Sequence, residues 1–158
     1  NPQSHRQTAK EIIGDFDDDL GAVICTTGTG GTISGLSAVL REEIPGIRIV
    51  ATEPDNSPIL SKGIACKHRI MGTAPGFIPD TLDQGAYDDI IAVNADHAMA
   101  VARQLAQREG IFCGISCGAA VVGMLEYAKR EEARERQLLA ILADTGERYL
   151  STELWAST

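Results

Sequence analysis

An α/β domain built on a parallel sheet with helices on both faces is the fold class that three features of the 158-residue sequence predict. Short apolar, β-prone runs alternate with stretches of helical length and periodicity. Glycine-rich turns stand at the ends of those runs, just ahead of the helices. With 44% of residues hydrophobic and 23% charged, the chain is ample for one core and small for two.

The elements follow in order. "NPQSHRQTAKEIIGDF" predicts a helix capped by Ser4 and ended with the help of Gly14. "LGAVICTT" is a short apolar strand, and "GTISGLSAVLREE" is a helix stopped by Pro45-Gly46. "IRIVATEP" predicts a buried strand bounded by Pro54. From Asp55 to Asp88 prolines and glycines break any period, which predicts a functional loop or covering segment. "DIIAV" then predicts a strand, and "NADHAMAVARQLAQREG" a helix capped by Asn94 and closed by Gly110. The turn in "FCGISCGAA" opens another helix running toward Glu132, "QLLAILAD" is a strand, and "TGERYLST" begins a final turn. Sheets of this kind bind ligands beyond the carboxyl ends of their strands. Chemistry is therefore expected after Thr27, around Gly114 and after Asp144.

The first of these turns contains Gly28, Thr29, Gly30, Gly31 and Thr32 between strand and helix. Glycines remove the Cβ atoms that would hold an anion away from backbone N–H groups, and the following helix adds unpaired N–H groups and a partial positive charge. Two threonine hydroxyls add donors. A phosphate monoester is the natural guest; the alternative is simply a tight strand-to-helix connection. No lysine follows the last glycine, so this is not a nucleotide P-loop. The spacing G-x-G-G, with Glu53 only loosely about twenty residues on, is not the dinucleotide fingerprint.

Composition narrows the partners. The net charge is −8 and acidic residues are scattered apart from Asp15 and Asp17 to Asp19, so the basic footprint that nucleic acid or anionic lipid requires is missing. No apolar run reaches the length of a spanning helix and no secretory pattern opens the sequence, which predicts a soluble, cytoplasmic protein. Cys25, Cys66, Cys113 and Cys117 are dispersed except for the last two. That pair can be a metal or redox pair, or ordinary buried thiols; no histidine or second cysteine pair completes a ligand set. His5, His68 and His97 form no evident hydrolytic arrangement and are expected at the surface or partly packed.

"GTGGTISG", "ATEPDNSP", "GFIPDTLD", "REGIFCGISCGAA" and "TGERYLST", in this order, resemble the C-terminal half of the cysteine synthase (O-acetylserine sulfhydrylase) group, relatives of cystathionine β-synthase among the fold-type II pyridoxal-phosphate enzymes. The likeness runs from "NPQSH" to "ELW". It implies that residues 1–158 are the larger, pyridoxal 5'-phosphate-binding domain, without the domain that precedes it. It further implies that Gly28 to Thr32 cradle the cofactor phosphate, that Ser116 hydrogen-bonds the pyridine nitrogen, and that Gly72 lines the active-site mouth. Read without the resemblance, Ser116 is a helix cap. Departures are visible: Thr73-Ala74-Pro75 stands where a more glycine-rich run is expected, Cys117 where serine is frequent, and Ala143, Asp144 and Thr145 in place of a Pro-Ser-Ser type entry, with Asp144 near the ring-nitrogen end. The implied activity joins O-acetyl-L-serine and sulfide into L-cysteine. Cysteine desulfhydrase or cystathionine β-synthase-type chemistry is the near alternative, and a non-catalytic phosphate-binding or interaction module the distant one. The resemblance also implies a homodimer. It calls for a lysine in Schiff-base linkage, and Lys10, Lys62, Lys67 and Lys129 all lie outside the context such a lysine occupies, so this chain alone is expected to be inactive.

Overall fold

Four parallel strands lie side by side in the order β3-β2-β1-β4. They are β1 (Leu20–Thr26), β2 (Arg48–Pro54), β3 (Asp89–Val93) and β4 (Gln137–Ala140). The computed structural model describes residues 1–16 and 19–156, so Asp17 and Asp18 of the acidic run lie outside the described residues. The helices are α1 (His5–Phe16), α2 (Gly31–Glu43), α3 (Ile59–Lys62), α4 (Ala95–Gln104) and α5 (Ile115–Tyr127).

Strand residues alternate between two cores because successive side chains leave opposite faces of a sheet. From β1, Val23 and Cys25 pack with Ile33, Leu36 and Leu40 of α2 and Ala9 and Ile12 of α1. Ala22 and Ile24 pack instead with Ala98, Met99 and Ala102 of α4 and Ile115, Ala119 and Val122 of α5. Apolar residues on both faces are what a parallel sheet covered on both sides requires. Leu20 sits with the α1–α2 core although it lies two residues from Ala22, because the β1–β4 register shifts between them. Full burial of each large aliphatic side chain, such as Leu36 or Ile24, stabilises the layers by about 1.5–3 kcal/mol.

Several boundaries move. Asn1, not Ser4, is the first cap: its side chain accepts from the Gln3 N–H at 3.0 Å and opens a 3-10 turn over Pro2–Ser4 that leads into α1. Gly14 lies inside α1 rather than ending it. α5 stops at Tyr127, short of Glu132, where the buried Tyr127 ring lies under the Arg130 guanidinium at 5.0 Å and Arg130 pairs with Asp89 of β3. Those anchors turn the chain toward β4. Within the irregular 55–88 segment a single helical turn, α3, forms over buried Glu53, whose carboxylate accepts from the Leu60 N–H at 2.7 Å and from the Ser61 hydroxyl. Glu53 is thus tied up by backbone and is not available to a ribose. Asn94 caps α4 as expected, its side chain accepting from Asp96 N–H at 3.0 Å, and Gly110 closes the helical stretch at φ 71.

The chain builds β1, β2 and β3 outward on one side, then returns over α4 and α5 to lay β4 on the other side of β1. The strand order therefore reverses between β1 and β4, and the crevice beyond their carboxyl ends is the place such a sheet leaves for a ligand.

Two glycines test the packing with opposite signs. A Cβ on Gly118 of α5 would sit 2.0 Å from the Ala98 carbonyl oxygen of α4, so Gly118→Ala is expected to lose about 1–3 kcal/mol by forcing the two helices apart. Gly14 has open space around its Cβ position, so Gly14→Ala is expected to gain about 0.5–1 kcal/mol from helix propensity. Denaturant midpoints of the two variants read both signs.

Candidate functional site

The crevice between β1 and β4 is a cleft of about 280 Å³, lined by Thr26, the turn from Gly28 to Thr32, Gly72, Ser116, Ala143 and Asp144. The three glycine turns expected to carry chemistry thus converge on one space. Glycine is required here by contact as well as conformation. A Cβ on Gly28 would lie 2.4 Å from the Gly72 carbonyl oxygen, and one on Gly30, which adopts φ 80, would lie 2.4 Å from the Leu82 Cβ. α2 begins at Gly31 with no side chain capping its first turn. Its leading N–H groups therefore keep their hydrogen-bonding capacity for a guest at the cleft, and the helix dipole favours an anionic one.

Neighbouring elements hold this turn in shape. The Thr81 hydroxyl donates to the Thr29 carbonyl, and Ala74 N–H donates to the Thr27 carbonyl at 2.9 Å. Ser34, on the first turn of α2, donates to the Thr81 carbonyl at 3.3 Å and accepts from Asp83 N–H at 2.9 Å. The segment from Gly72 to Asp83 is thereby laced along the glycine turn. Beside it opens a more apolar cavity of about 370 Å³ with Gly28, Thr29, Gly72, Pro75, Phe77 and Thr81 in its walls. Ala74 is held at φ 40, a left-handed conformation that disfavours a side chain, so the Thr73-Ala74-Pro75 departure is strained as well as stiff.

His5, expected at the surface or partly packed, is half-buried against the glycine turn. At the start of α1, its Nε2 lies 3.2 Å from the Thr32 hydroxyl oxygen. When Nε2 carries the hydrogen, Thr32 accepts from it and its own hydroxyl hydrogen is free to turn toward the cleft. Nothing in "NPQSH" by itself gives that contact, which exists only because α1 packs on α2. His68 faces the Ala74 carbonyl at 3.0 Å through Nε2, and His97 is exposed.

Ser116 lies in the first turn of α5, 6% exposed, while Gly114 holds the cap position. The helix-cap reading of Ser116 is therefore not what the structure shows. Near it, Asp144 is a meeting point: its carboxylate accepts from the Tyr149 hydroxyl and from Cys117 Sγ at 3.3 Å. Gly114 makes room, since a Cβ there would lie 2.3 Å from Asp144 Oδ1. Burial, and then the hydrogen bond to Asp144, push the Tyr149 phenol up to about 12. The neighbouring Cys113 thiol brings the pKa of Cys117 down to about 7, while Cys117 and burial push that of Cys113 up. All four lysines are exposed and none lines the cleft, and no metal-holding cluster of side chains occurs among the described residues. No helix among the described residues is long and apolar enough to cross a membrane.

Tyr149→Phe leaves one Asp144 oxygen without its protein donor and is expected to lower stability by about 1–2 kcal/mol at neutral pH. The raised phenol gives a second readout. Its stabilisation is complete below the unfolded phenol value near 10 and is lost as pH climbs toward 12, so denaturant midpoints of the parent protein should fall across that window more steeply than those of Tyr149→Phe.

Comparison with known proteins agrees with this geometry. The "Pyridoxal-phosphate dependent enzyme" family model matches residues 1–144. A probable cysteine synthase of Bacillus subtilis (strain 168) is 44% identical over 160 residues, covering 99% of this chain and 51% of the relative. The solved structure of O-ureido-L-serine synthase superposes with a TM-score of 0.93 at 43% identity, covering 99% of this chain and 50% of that one. A hydrogen sulfide-producing enzyme from Fusobacterium nucleatum gives 0.89 at 38% identity, covering 94% and 50%. The chain spans about half the length of the curated relatives it matches. A glycine-lined cleft at the strand-order reversal and a family match across nearly the whole chain lead to one conclusion: this chain belongs to the pyridoxal-phosphate dependent enzymes.

Proposed function

We propose that this chain is the larger, C-terminal domain of a cysteine synthase, which replaces the acetoxy group of O-acetyl-L-serine with sulfide to give L-cysteine. The observation that carries the reading is the convergence of an uncapped, glycine-lined α2 N-terminus and the Ser116 hydroxyl on one cleft. Residues Gly28 to Thr32 hold the phosphate of pyridoxal 5'-phosphate through backbone N–H groups and the threonine hydroxyls, with His5 orienting that of Thr32. When bound, the cofactor supplies the electron sink for β-elimination and β-addition at the amino-acid substrate. Ser116 meets the ring nitrogen with a neutral hydroxyl, which does not hold a proton there as a carboxylate does, and so limits how far charge is drawn into the ring. Gly72 lines the mouth through which the amino acid enters. The proton-transferring lysine comes from the other half of the polypeptide. The whole enzyme works as a cytoplasmic homodimer on small molecules, without nucleic acid or membrane.

A second reading, release of sulfide from cysteine, is favoured by the likeness to the Fusobacterium enzyme, and use of an O-ureido-L-serine substrate by the likeness to its synthase. The full-length protein is to be assayed with O-acetyl-L-serine plus sulfide, with cysteine alone, and with O-ureido-L-serine. Cysteine formation from the first pair as the fastest reaction supports the synthase; faster sulfide release from cysteine overturns it. For the cradle, Gly30→Ala is expected to weaken cofactor binding about 10–100-fold, because its φ 80 disfavours a Cβ that would also strike Leu82. Equilibrium dialysis against pyridoxal 5'-phosphate measures it.

A further inference from the structure

Gly72 belongs to a knot in the irregular 55–88 segment that is tied by its own short bonds. The Thr73 hydroxyl donates to the Ile70 carbonyl at 2.7 Å, Met71 N–H donates to the Arg69 carbonyl at 3.1 Å, and His68 Nε2 faces the Ala74 carbonyl at 3.0 Å. Ala74 N–H joins the knot to the glycine turn through the Thr27 carbonyl. A second tie is ionic, and the proposed chemistry does not use it. The Arg69 guanidinium grips Glu153 with two hydrogen bonds, Nε to Oε1 at 2.8 Å and Nη2 to Oε2 at 2.7 Å, and its Nη1 lies 2.9 Å from Asp96 Oδ1 in the first turn of α4. Glu153 is offered from a fixed backbone. Arg103 of α4 donates to the Glu153 and Leu154 carbonyls at 2.7 and 2.6 Å, and Leu154 is fully buried. The same tail reaches the Ser116 side of the cleft: Thr152 N–H donates to the Tyr149 carbonyl at 2.9 Å, and the Tyr149 hydroxyl donates to Asp144, which lines the cleft together with Gly72.

We propose that Arg69 is a positioning residue for the amino-acid substrate: its clamp on Glu153 and Asp96 fixes Gly72 relative to the Asp144 wall and makes substrate binding sensitive to salt. The proposal rests on Gly72 lining the mouth through which the amino acid enters. Most exposed ion pairs contribute little, because two long side chains must be ordered and dissolved ions screen them. This one departs from that rule in geometry. A planar guanidinium meets the carboxylate fork to fork, a second carboxylate completes a network, and the backbone of Glu153 is already pinned, so less freedom is lost on pairing. The Arg69 and Glu153 side chains are 47% and 49% exposed, so the clamp stays open to screening. Without it, residues 68–74 keep their internal bonds and the tie to Thr27 but lose the tie to the tail. Gly72 then samples more positions, which weakens substrate binding and leaves the reacting groups unchanged, so KM rises and kcat does not.

The full-length enzyme loaded with pyridoxal 5'-phosphate is assayed with O-acetyl-L-serine and sulfide, beside Arg69→Met, Arg69→Lys, Glu153→Gln and the Arg69→Met/Glu153→Gln double variant. Arg69→Met is expected to raise KM for the amino acid about 3–10-fold with kcat within about two-fold, and Arg69→Lys, which keeps the charge without the fork, to fall between. The double variant should match Arg69→Met, since both changes remove one interaction. Raising NaCl from about 0.05 to about 0.5 M should raise KM in the parent enzyme and leave that of Arg69→Met flat. An unchanged KM in Arg69→Met, a matching loss of kcat, additive single variants or equal salt dependence overturns the proposal. Amide hydrogen exchange reads the clamp without any substrate: residues 70–74 should exchange faster in Arg69→Met, and unchanged exchange overturns it. Should cysteine or O-ureido-L-serine prove the faster substrate, KM is read on that one, so failure of the synthase reading stays separate from failure of the clamp.

Discussion

The absence of side chains at the bend between β1 and α2 is the constraint on which the site depends. Gly28 accepts the Gly72 carbonyl against its bare Cα, and Gly30 accepts Leu82 in the same way while turning the chain through a left-handed conformation. A methyl group at either point would separate the 72–83 segment from the turn it braces. The same bareness leaves the first N–H groups of α2 uncapped and facing outward. Packing and the free N–H groups at the start of α2 therefore come from one property of one short stretch, and neither can change without the other.

The opposite side of the cleft is organised around a charge. Asp144 gathers the Tyr149 hydroxyl and the Cys117 thiol, while Gly114 gives it space. That cluster joins the turn after β4 to the start of α5, and so holds Ser116 at a set position against the glycine turn. Phe112 and Trp155, with ring centroids 4.8 Å apart, and the Trp155 indole N–H donating to the Gly146 carbonyl at 3.1 Å, close the same corner from outside. Thus the α2 side of the cleft is shaped by backbone and the α5 side by side chains. The first resists substitution by steric contact; the second depends on hydrogen bonds to one carboxylate.

Most of the scaffold was legible in advance because its signals are local. The glycines after β1, Pro45-Gly46 after α2, Asn94 before α4 and Gly110 after it mark ends that hydrogen bonding and sterics impose within a few residues. Misplaced boundaries have tertiary causes. Gly14 continues α1 because that helix packs on α2, and α5 ends at Tyr127 because Arg130 is held by Asp89 across the fold. Glu53, loosely spaced like a ribose contact, turns out to hold α3.

By itself the sequence determined the alternation of strands and helices, the parallel sheet covered on both faces, the glycine-threonine turn suited to a phosphate, and a resemblance strong enough to name a family. These rest on periodicity, backbone permissiveness and short motifs, all of which act over neighbouring residues. Only the tertiary structure decided that Gly72 lies against Gly28, that His5 meets Thr32, and that Cys117, Asp144 and Tyr149 form one cluster. The reason is physical. Such contacts join residues far apart in the chain, and their partners are chosen by how helices and strands stack, which no local propensity encodes.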